Sequence, residues 1–194
     1  MNKQDSRYIA SETRIKEAFY ELLSRKSIDE IRVQEIIASA GINKSTFYSH
    51  YRDKYDLLDS MSAYAVDMLF PALEGFFSVI LNEEIFQNDL DASYEEFADV
   101  FQNNKDFFRI VMGNTSGSIL ASRISDLIEK IWAEKRIADP GIVYYSYLIN
   151  AITCIIVGTA EKWVKRDCVD PPDDLIQLAR DVGAGVQKAL IRKQ

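Results

Sequence analysis

The chain has 194 residues, 47% hydrophobic and 27% charged, enough for one globular domain of good size or a small domain fused to a larger one. Its formal net charge is −7, which excludes a protein that coats nucleic acid over its whole surface. Residues 1–60 carry ten basic and ten acidic groups, leaving thirteen and twenty for residues 61–194, so only the first part is suited to approach a polyanion.

In chain order, Ile15, Ala18, Phe19, Leu22 and Leu23 follow the i, i+3, i+4, i+7, i+8 stripe of a one-sided helix. Ser11 or Thr13 is expected to cap its start. Residues 24–30 read as a polar connection, with Ile28 and Ile31 turned to the core. Val33, Ile36, Ile37 and Ala40 mark a short second helix. Gly41 supplies the turn after it, because a residue without Cβ takes the left-handed conformation freely. Asn43 reads as the N-cap of a third helix.

A fourth helix opens at Asp53 and carries Leu57, Leu58, Met61, Ala65, Met68 and Leu69 on one face. Pro71 is expected to kink or end it. Leu73, Phe76, Phe77, Ile80 and Leu81 continue the apolar pattern, and residues 82–92 read as an exposed connection. Residues 93–96 fit a capping box before a helix burying Tyr94, Phe97, Ala98 and Phe101. Asn103 and Asn104 interrupt that helix, and residues 106–112 form a short one ended by Gly113.

After a loop at 113–118, Ile119, Leu120, Ile124, Leu127, Ile128, Ile131 and Trp132 make the next stripe, stopped at residues 139–141. Residues 142–166 form a long, unusually apolar helix. Asp170 is the expected cap of the last helix, with proline in its first turn. Leu175, Ala179, Val182, Val186 and Leu190 line it. No segment reads as a strand, so the fold class is all-α with about nine helices.

Cys154 and Cys168 are the only cysteines. The N-terminus is polar, without the apolar stretch of a signal peptide. The longest apolar run, residues 148–160, is too short for a membrane span and contains Asn150 and Thr153. These features predict a cytoplasmic protein with free thiols and no membrane association.

Residues 33–58 carry the chemistry. Two short helices meet at Ala40, Gly41 and Ile42, the outline of a helix-turn-helix. Phe47 and Tyr51 lie four apart and face the first two helices. That leaves Lys44, Ser45, Thr46, Tyr48, Ser49 and His50 for the opposite side and the tip. Short hydroxyl side chains reach base edges or phosphates without crowding a groove, and Lys44 reaches a guanine edge or a phosphate. Lys54, at the start of the fourth helix, faces the phosphate backbone in this reading. The partner predicted is double-stranded DNA.

This pattern resembles the N-terminal domain of the TetR family of bacterial transcriptional regulators. The resemblance rests on Arg14, Ile15, Ala18, Phe19, Leu22 and Leu23, then on Ile31, Val33, Ile36, Ile37, Ala40, Gly41 and Ile42. It continues through Ser45, Thr46, Phe47, Tyr48, His50, Tyr51, Asp53, Lys54, Leu57 and Leu58. It covers about residues 8–60. Tyr51 departs from it, since the family more often has a purely apolar residue there.

The resemblance implies a three-helix helix-turn-helix domain over residues 1–53 and an effector-binding and dimerisation domain over 54–194. By it, Tyr48, His50 and Lys54 contact phosphates, while Lys44, Ser45, Thr46 and Ser49 lie nearest the bases. Gln34 adds a contact, and Arg7 and Arg14 are weaker phosphate candidates. Residues 104–111 and 161–164 also resemble a TetR-like C-terminal domain. The implied molecule is a homodimer that reads a palindromic operator and is commonly a repressor. Its effector, a small molecule or a partner protein, is not named by the resemblance.

Helices 142–166 and 171–191 are the expected dimer faces, through Ile152, Ile155, Ile156, Thr159, Val182, Val186 and Leu190. Phe77, Phe101, Phe107, Phe108, Trp132, Tyr144 and Tyr147 are the aromatic candidates for an effector pocket. An enzyme is not expected. The one histidine sits in the DNA-reading helix, and there is no G-x-G-x-x-G motif, P-loop or metal cluster in the sequence. Neither a metal nor a cofactor is expected.

Overall fold

The computed structural model describes residues 3–79, 95–115, 117–137, 139 and 141–191. Every regular element among them is helical. Ile80, Leu81, the 82–92 connection, Tyr94 and the first half of the 93–96 capping box lie outside the described residues, as does Pro140.

The helices are α1 (Lys3–Leu23), a 3-10 turn η1 (Ile28–Glu30), α2 (Val33–Ala40), α3 (Lys44–His50), α4 (Lys54–Val79) and α5 (residues 95–103). They continue as α6 (Lys105–Asn114), α7 (Gly117–Glu134), α8 (Val143–Lys165) and α9 (Pro172–Ile191). Two compact units result: Met1–Tyr64 with Ile110–Ser116, and Ala65–Arg109 with Gly117–Gln194.

In the first unit, Ile15, Phe19, Ile31, Ile36, Phe47 and Leu57 are fully buried. Burying each such side chain contributes roughly 1.5–3 kcal/mol, so this small core holds α1, α2 and α3 as one body. α1 begins eight residues before Ser11, so neither Ser11 nor Thr13 caps it. Both hydroxyls instead donate back along the helix, Ser11 to the Tyr8 carbonyl at 2.8 Å and Thr13 to the Ile9 carbonyl at 3.0 Å. The polar stretch at 24–30 contains η1, with Ile28 and Ile31 buried as expected.

Gly41 ends α2 at φ 61° and ψ 40°, the left-handed cap the sequence called for. Asn43 caps α3, its side-chain oxygen accepting from the Thr46 N–H at 2.7 Å. Asp53 does the same for α4, accepting from the Tyr55 and Asp56 N–H groups.

Pro71 does not end α4, which runs on to Val79. Proline in a helix interior loses a hydrogen bond. Here Leu69, Ala72, Leu73, Phe76 and Phe77 are buried on either side of it, and Pro71 itself is exposed. Burial of the apolar stripe outweighs the backbone defect.

The second unit is built on aromatic packing. Phe101 lies 4.1 Å from Phe108 and 6.2 Å from Trp163, and Phe77 meets Trp132 edge-on at 5.9 Å. Asp170 is not the cap of α9 that the sequence suggests; both its oxygens accept from the Arg166 guanidinium, at 2.6 and 2.7 Å. α8 as a whole exceeds the 148–160 run. By length and composition it is the one helix among the described residues long and apolar enough to cross a membrane. Its buried face, Tyr145, Ile149, Ile152, Thr153, Val157, Ala160, Trp163 and Val164, packs inside the protein.

Candidate nucleic-acid interface

α3 divides its residues as a seven-residue helix against a core must. Phe47 is fully buried and Tyr51, just past the helix, is 7% exposed. The Tyr51 hydroxyl donates to the Glu12 carboxylate of α1 at 3.2 Å, and burial pushes its phenol well above the usual range. Lys44, Ser45, Tyr48 and Ser49 are exposed, and Thr46 is half-buried. Gln34 is exposed on α2, and Arg7 and Arg14 are exposed on α1.

The hydroxyls on α3 are arranged around Asn43. Its side-chain oxygen accepts from Ser45 Oγ at 2.7 Å and Thr46 Oγ1 at 2.9 Å as well as from the Thr46 N–H. Ser49 Oγ donates to the Thr46 carbonyl at 2.8 Å. Lys44 Nζ sits 5.9 Å above the Tyr48 ring, so the exposed amine and phenol form one surface. Arg52 extends from the next turn and pairs with Asp56 at 2.8 Å.

Two expected phosphate ligands are engaged within the unit. Lys54 Nζ donates to the carbonyls of Ile28, Asp29 and Ile31 at 2.8, 3.1 and 2.9 Å. An ammonium has three donors, and all three have acceptors here. A cation at the first turn of a helix opposes that helix's own dipole. In Lys54 the C-terminal carbonyls of η1 supply the compensating negative end. The second is His50, whose ring lies 3.9 Å from the Tyr8 ring and whose Nε2 is 2.8 Å from Ser11 Oγ. Burial pushes its imidazole below the usual range; Glu12 opposes that shift and Lys16 adds to it.

Two polar contacts complete this unit, and neither was foreseen. Asn114 Oδ1 accepts from the Ile28 N–H at 2.9 Å, and Ser62 shares a buried hydrogen bond with Thr115 at 3.1 Å. Each joins residues more than fifty positions apart, a pairing that spacing along the chain does not reveal.

The second unit holds an apolar hollow of about 60 Å³. Leu73 and Phe76 of α4, Phe97 of α5, Ile156 and Trp163 of α8 and Val182 of α9 line it, with Thr159 as one of its few polar side chains. None of the seven aromatic candidates does so. Phe77, Phe101, Phe108 and Trp132 are core residues, Phe107 is half-buried, and Tyr144 and Tyr147 point to solvent. Trp163 Nε1 already donates to the Asp170 carbonyl, so the hollow gains no donor from it.

The expected dimer residues also divide. Ile152, Val186 and Leu190 are buried within the protomer, the first two against the hollow. Ile155 is 41% exposed, and Ile156, Thr159 and Val182 are half-buried around the hollow. α8 is apolar around most of its circumference, so periodicity does not separate the inward face from the outward one.

Residues 15–61 match the family model described as bacterial regulatory proteins of the tetR family, and residues 88–182 match a transcriptional regulator C-terminal region. A curated relative is the uncharacterised HTH-type transcriptional regulator YerO of Bacillus subtilis, 26% identical over 115 residues. That match takes in 58% of this chain but 36% of the relative, so the matched segment spans about a third of the relative's length. Among solved structures, NalD, the secondary repressor of the MexAB-OprM multidrug efflux pump of Pseudomonas aeruginosa, superposes with a TM-score of 0.57 at 17% identity. The match covers 95% of this chain and 96% of that one. PfmR of Thermus thermophilus, a TetR family transcriptional regulator, superposes at 0.50 and 18% identity, over 92% and 97% of the two chains. At these identities the two structures establish a shared fold.

Proposed function

The chain belongs to the TetR family of bacterial transcriptional regulators, and from that premise we propose that it is a homodimeric repressor released from a palindromic operator by a small-molecule effector. The observation that carries the DNA-reading half is the division of α3. Lys44, Ser45, Tyr48 and Ser49 are exposed together while Phe47 and Tyr51 lock the opposite side into the core. In this reading the α3 hydroxyls exchange their contacts around Asn43 for base edges and phosphates on docking, and Gln34 and Thr46 lie at the margin of the contact.

Dimerisation is assigned to the outward faces of α8 and α9. Tyr147 is 72% exposed on α8, and Ile155 of α8 and Leu178 of α9, which also line the hollow, are exposed as well. A Cβ added at Gly158 or Gly185 would meet nothing, so both positions leave room for a partner helix. The effector is assigned to the hollow. Its lining carries no charged side chain, so the ligand it suits is uncharged and largely apolar. Such a ligand acts by stabilising a protein state whose two α3 helices no longer fit successive major grooves.

The test is fluorescence anisotropy with DNA from upstream of the protein's own gene against a scrambled probe, at two salt concentrations, with the mass of the complex measured by light scattering. Specific binding by two chains per site is the expected result. Equal, salt-sensitive binding to both probes, or a monomer at micromolar concentration, overturns the proposal.

A further inference from the structure

We infer that His50 is a positioning residue, an uncharged Nε2–H donor that ties the last turn of the DNA-reading helix α3 to α1 through Ser11. This rests on the DNA-reading role of α3 proposed above, and it gives His50 a different task from the phosphate contact that the sequence suggested.

One proton decides the tautomer of His50. Ser11 Oγ stands 2.8 Å from the Tyr8 carbonyl oxygen and 2.8 Å from His50 Nε2. Two oxygens at that separation repel unless a proton lies between them, so the single hydroxyl proton of Ser11 is committed to the Tyr8 carbonyl. Ser11 Oγ then has only lone pairs to offer His50, and Nε2 must carry the hydrogen. The other ring nitrogen, Nδ1, is buried with no partner among the described residues. A proton there would be a buried N–H without an acceptor, whereas a bare lone pair is the less costly orphan. The imidazole is therefore the neutral Nε2–H tautomer.

The surroundings fit a clamp. Ser11 is 6% exposed and His50 is half-buried, so the hydrogen bond is partly shielded from water. The Tyr8 ring covers the imidazole at 3.9 Å with a 35° tilt, and Tyr51, next in the chain, donates to Glu12 one residue beyond Ser11. Ser11, Glu12 and Tyr8 are all on α1, so two successive residues, His50 and Tyr51, fasten the exit of α3 to that helix. Tyr48 and Ser49, the exposed residues just before the clamp, owe their direction to it.

The sequence contains a single histidine, so its ring nitrogens give unambiguous signals. Long-range nitrogen–proton correlation spectra of the free protein at neutral pH should show protonated Nε2 and bare Nδ1; the opposite tautomer, or an imidazolium, overturns the inference. In operator binding, Ser11→Ala and His50→Ala should each weaken affinity about tenfold, and the double variant should be no weaker than either. His50→Gln, which keeps a donor near the Nε2 position, should restore most of it. An unaffected Ser11→Ala protein beside a weakened His50→Ala protein would make His50 a direct DNA ligand and overturn the clamp. Binding by the unaltered protein reports separately on the DNA-reading function, because the tautomer is measured without DNA.

Discussion

Asn114 and Ile28 are 86 positions apart, and the Asn114 side-chain oxygen accepts the Ile28 N–H at 2.9 Å. The Ile28 carbonyl in turn accepts from Lys54, so η1 is held from both sides by residues of α6 and α4. Removing Asn114 leaves a donor at a buried residue unsatisfied. Asn114→Ala should therefore cost about 1–3 kcal/mol of stability, read as a lower urea midpoint. A midpoint within error of the parent would show that water replaces the side chain at no cost.

Lys54 separates two roles that its position in the motif confounds. Three carbonyls hold its ammonium, and hydrogen bonds to a charged group contribute about 1.5–3 kcal/mol. Partial exposure lowers the effect toward the bottom of that range. Lys54→Met keeps the packed stem and removes the donors, so it should lower stability by about 1–2 kcal/mol while leaving the salt dependence of DNA affinity unchanged. A salt slope smaller by about one would assign Lys54 to a phosphate instead.

Lys44 is the contrasting case. It is exposed and rests on Tyr48, with no carboxylate holding it among the described residues. Lys44→Ala should leave the urea midpoint unmoved and reduce the slope of log affinity against log salt by about one if it neutralises a phosphate. A loss of preference between operator and scrambled DNA, at constant slope, would place it on a base edge.

Gly41 is a position where backbone alone sets the cost. Its φ is +61°, and an added Cβ would meet no atom within 4 Å. Gly41→Ala should therefore lose about 1–2 kcal/mol through conformation rather than collision, and Gly41→Asn less, because asparagine tolerates the left-handed region. Thermal denaturation of the three proteins gives the order; an alanine variant as stable as the parent would mean the turn has rearranged.

The contrast between these residues shows what was legible in the chain. The turn at Gly41, the caps at Asn43 and Asp53 and the inward pair Phe47 and Tyr51 are local features. They depend on neighbours within four residues, and the sequence displays them. The partners of His50 and Lys54 lie 39 and 23–26 positions away, and hydroxyls or backbone carbonyls carry no signal of their own. One clue existed for Lys54, a cation set against the dipole of its own helix. In the second unit periodicity marked the buried stripes but not their allotment. α8 is apolar on both faces, so Ile152 and Ile155 read alike in the sequence, while one is core and the other is 41% exposed.

The pH dependence of stability follows from the same histidine. Burial, the largest cause, holds the His50 imidazole below its ordinary value; Lys16 adds to this and the Glu12 carboxylate opposes it, with Tyr8 and Tyr51 the other titratable groups at the ring. Between the folded and unfolded values the unfolded chain binds the extra proton. Stability is thus fully present above about pH 6.5 and falls as the pH drops toward the folded value. Glu12 lies in the other direction. Its hydrogen bond with Lys16 holds it below the usual carboxylate range, against a smaller opposing effect of burial, so its contribution is lost only as the pH falls below about 4.3. Urea midpoints from about pH 8 to 5 should accordingly decline below about 6.5 in the parent and stay level in His50→Gln, which has no group titrating there. A parent midpoint that rises on acidification would mean that the imidazole gains a partner when charged, and would remove the basis for reading it as half-buried and neutral.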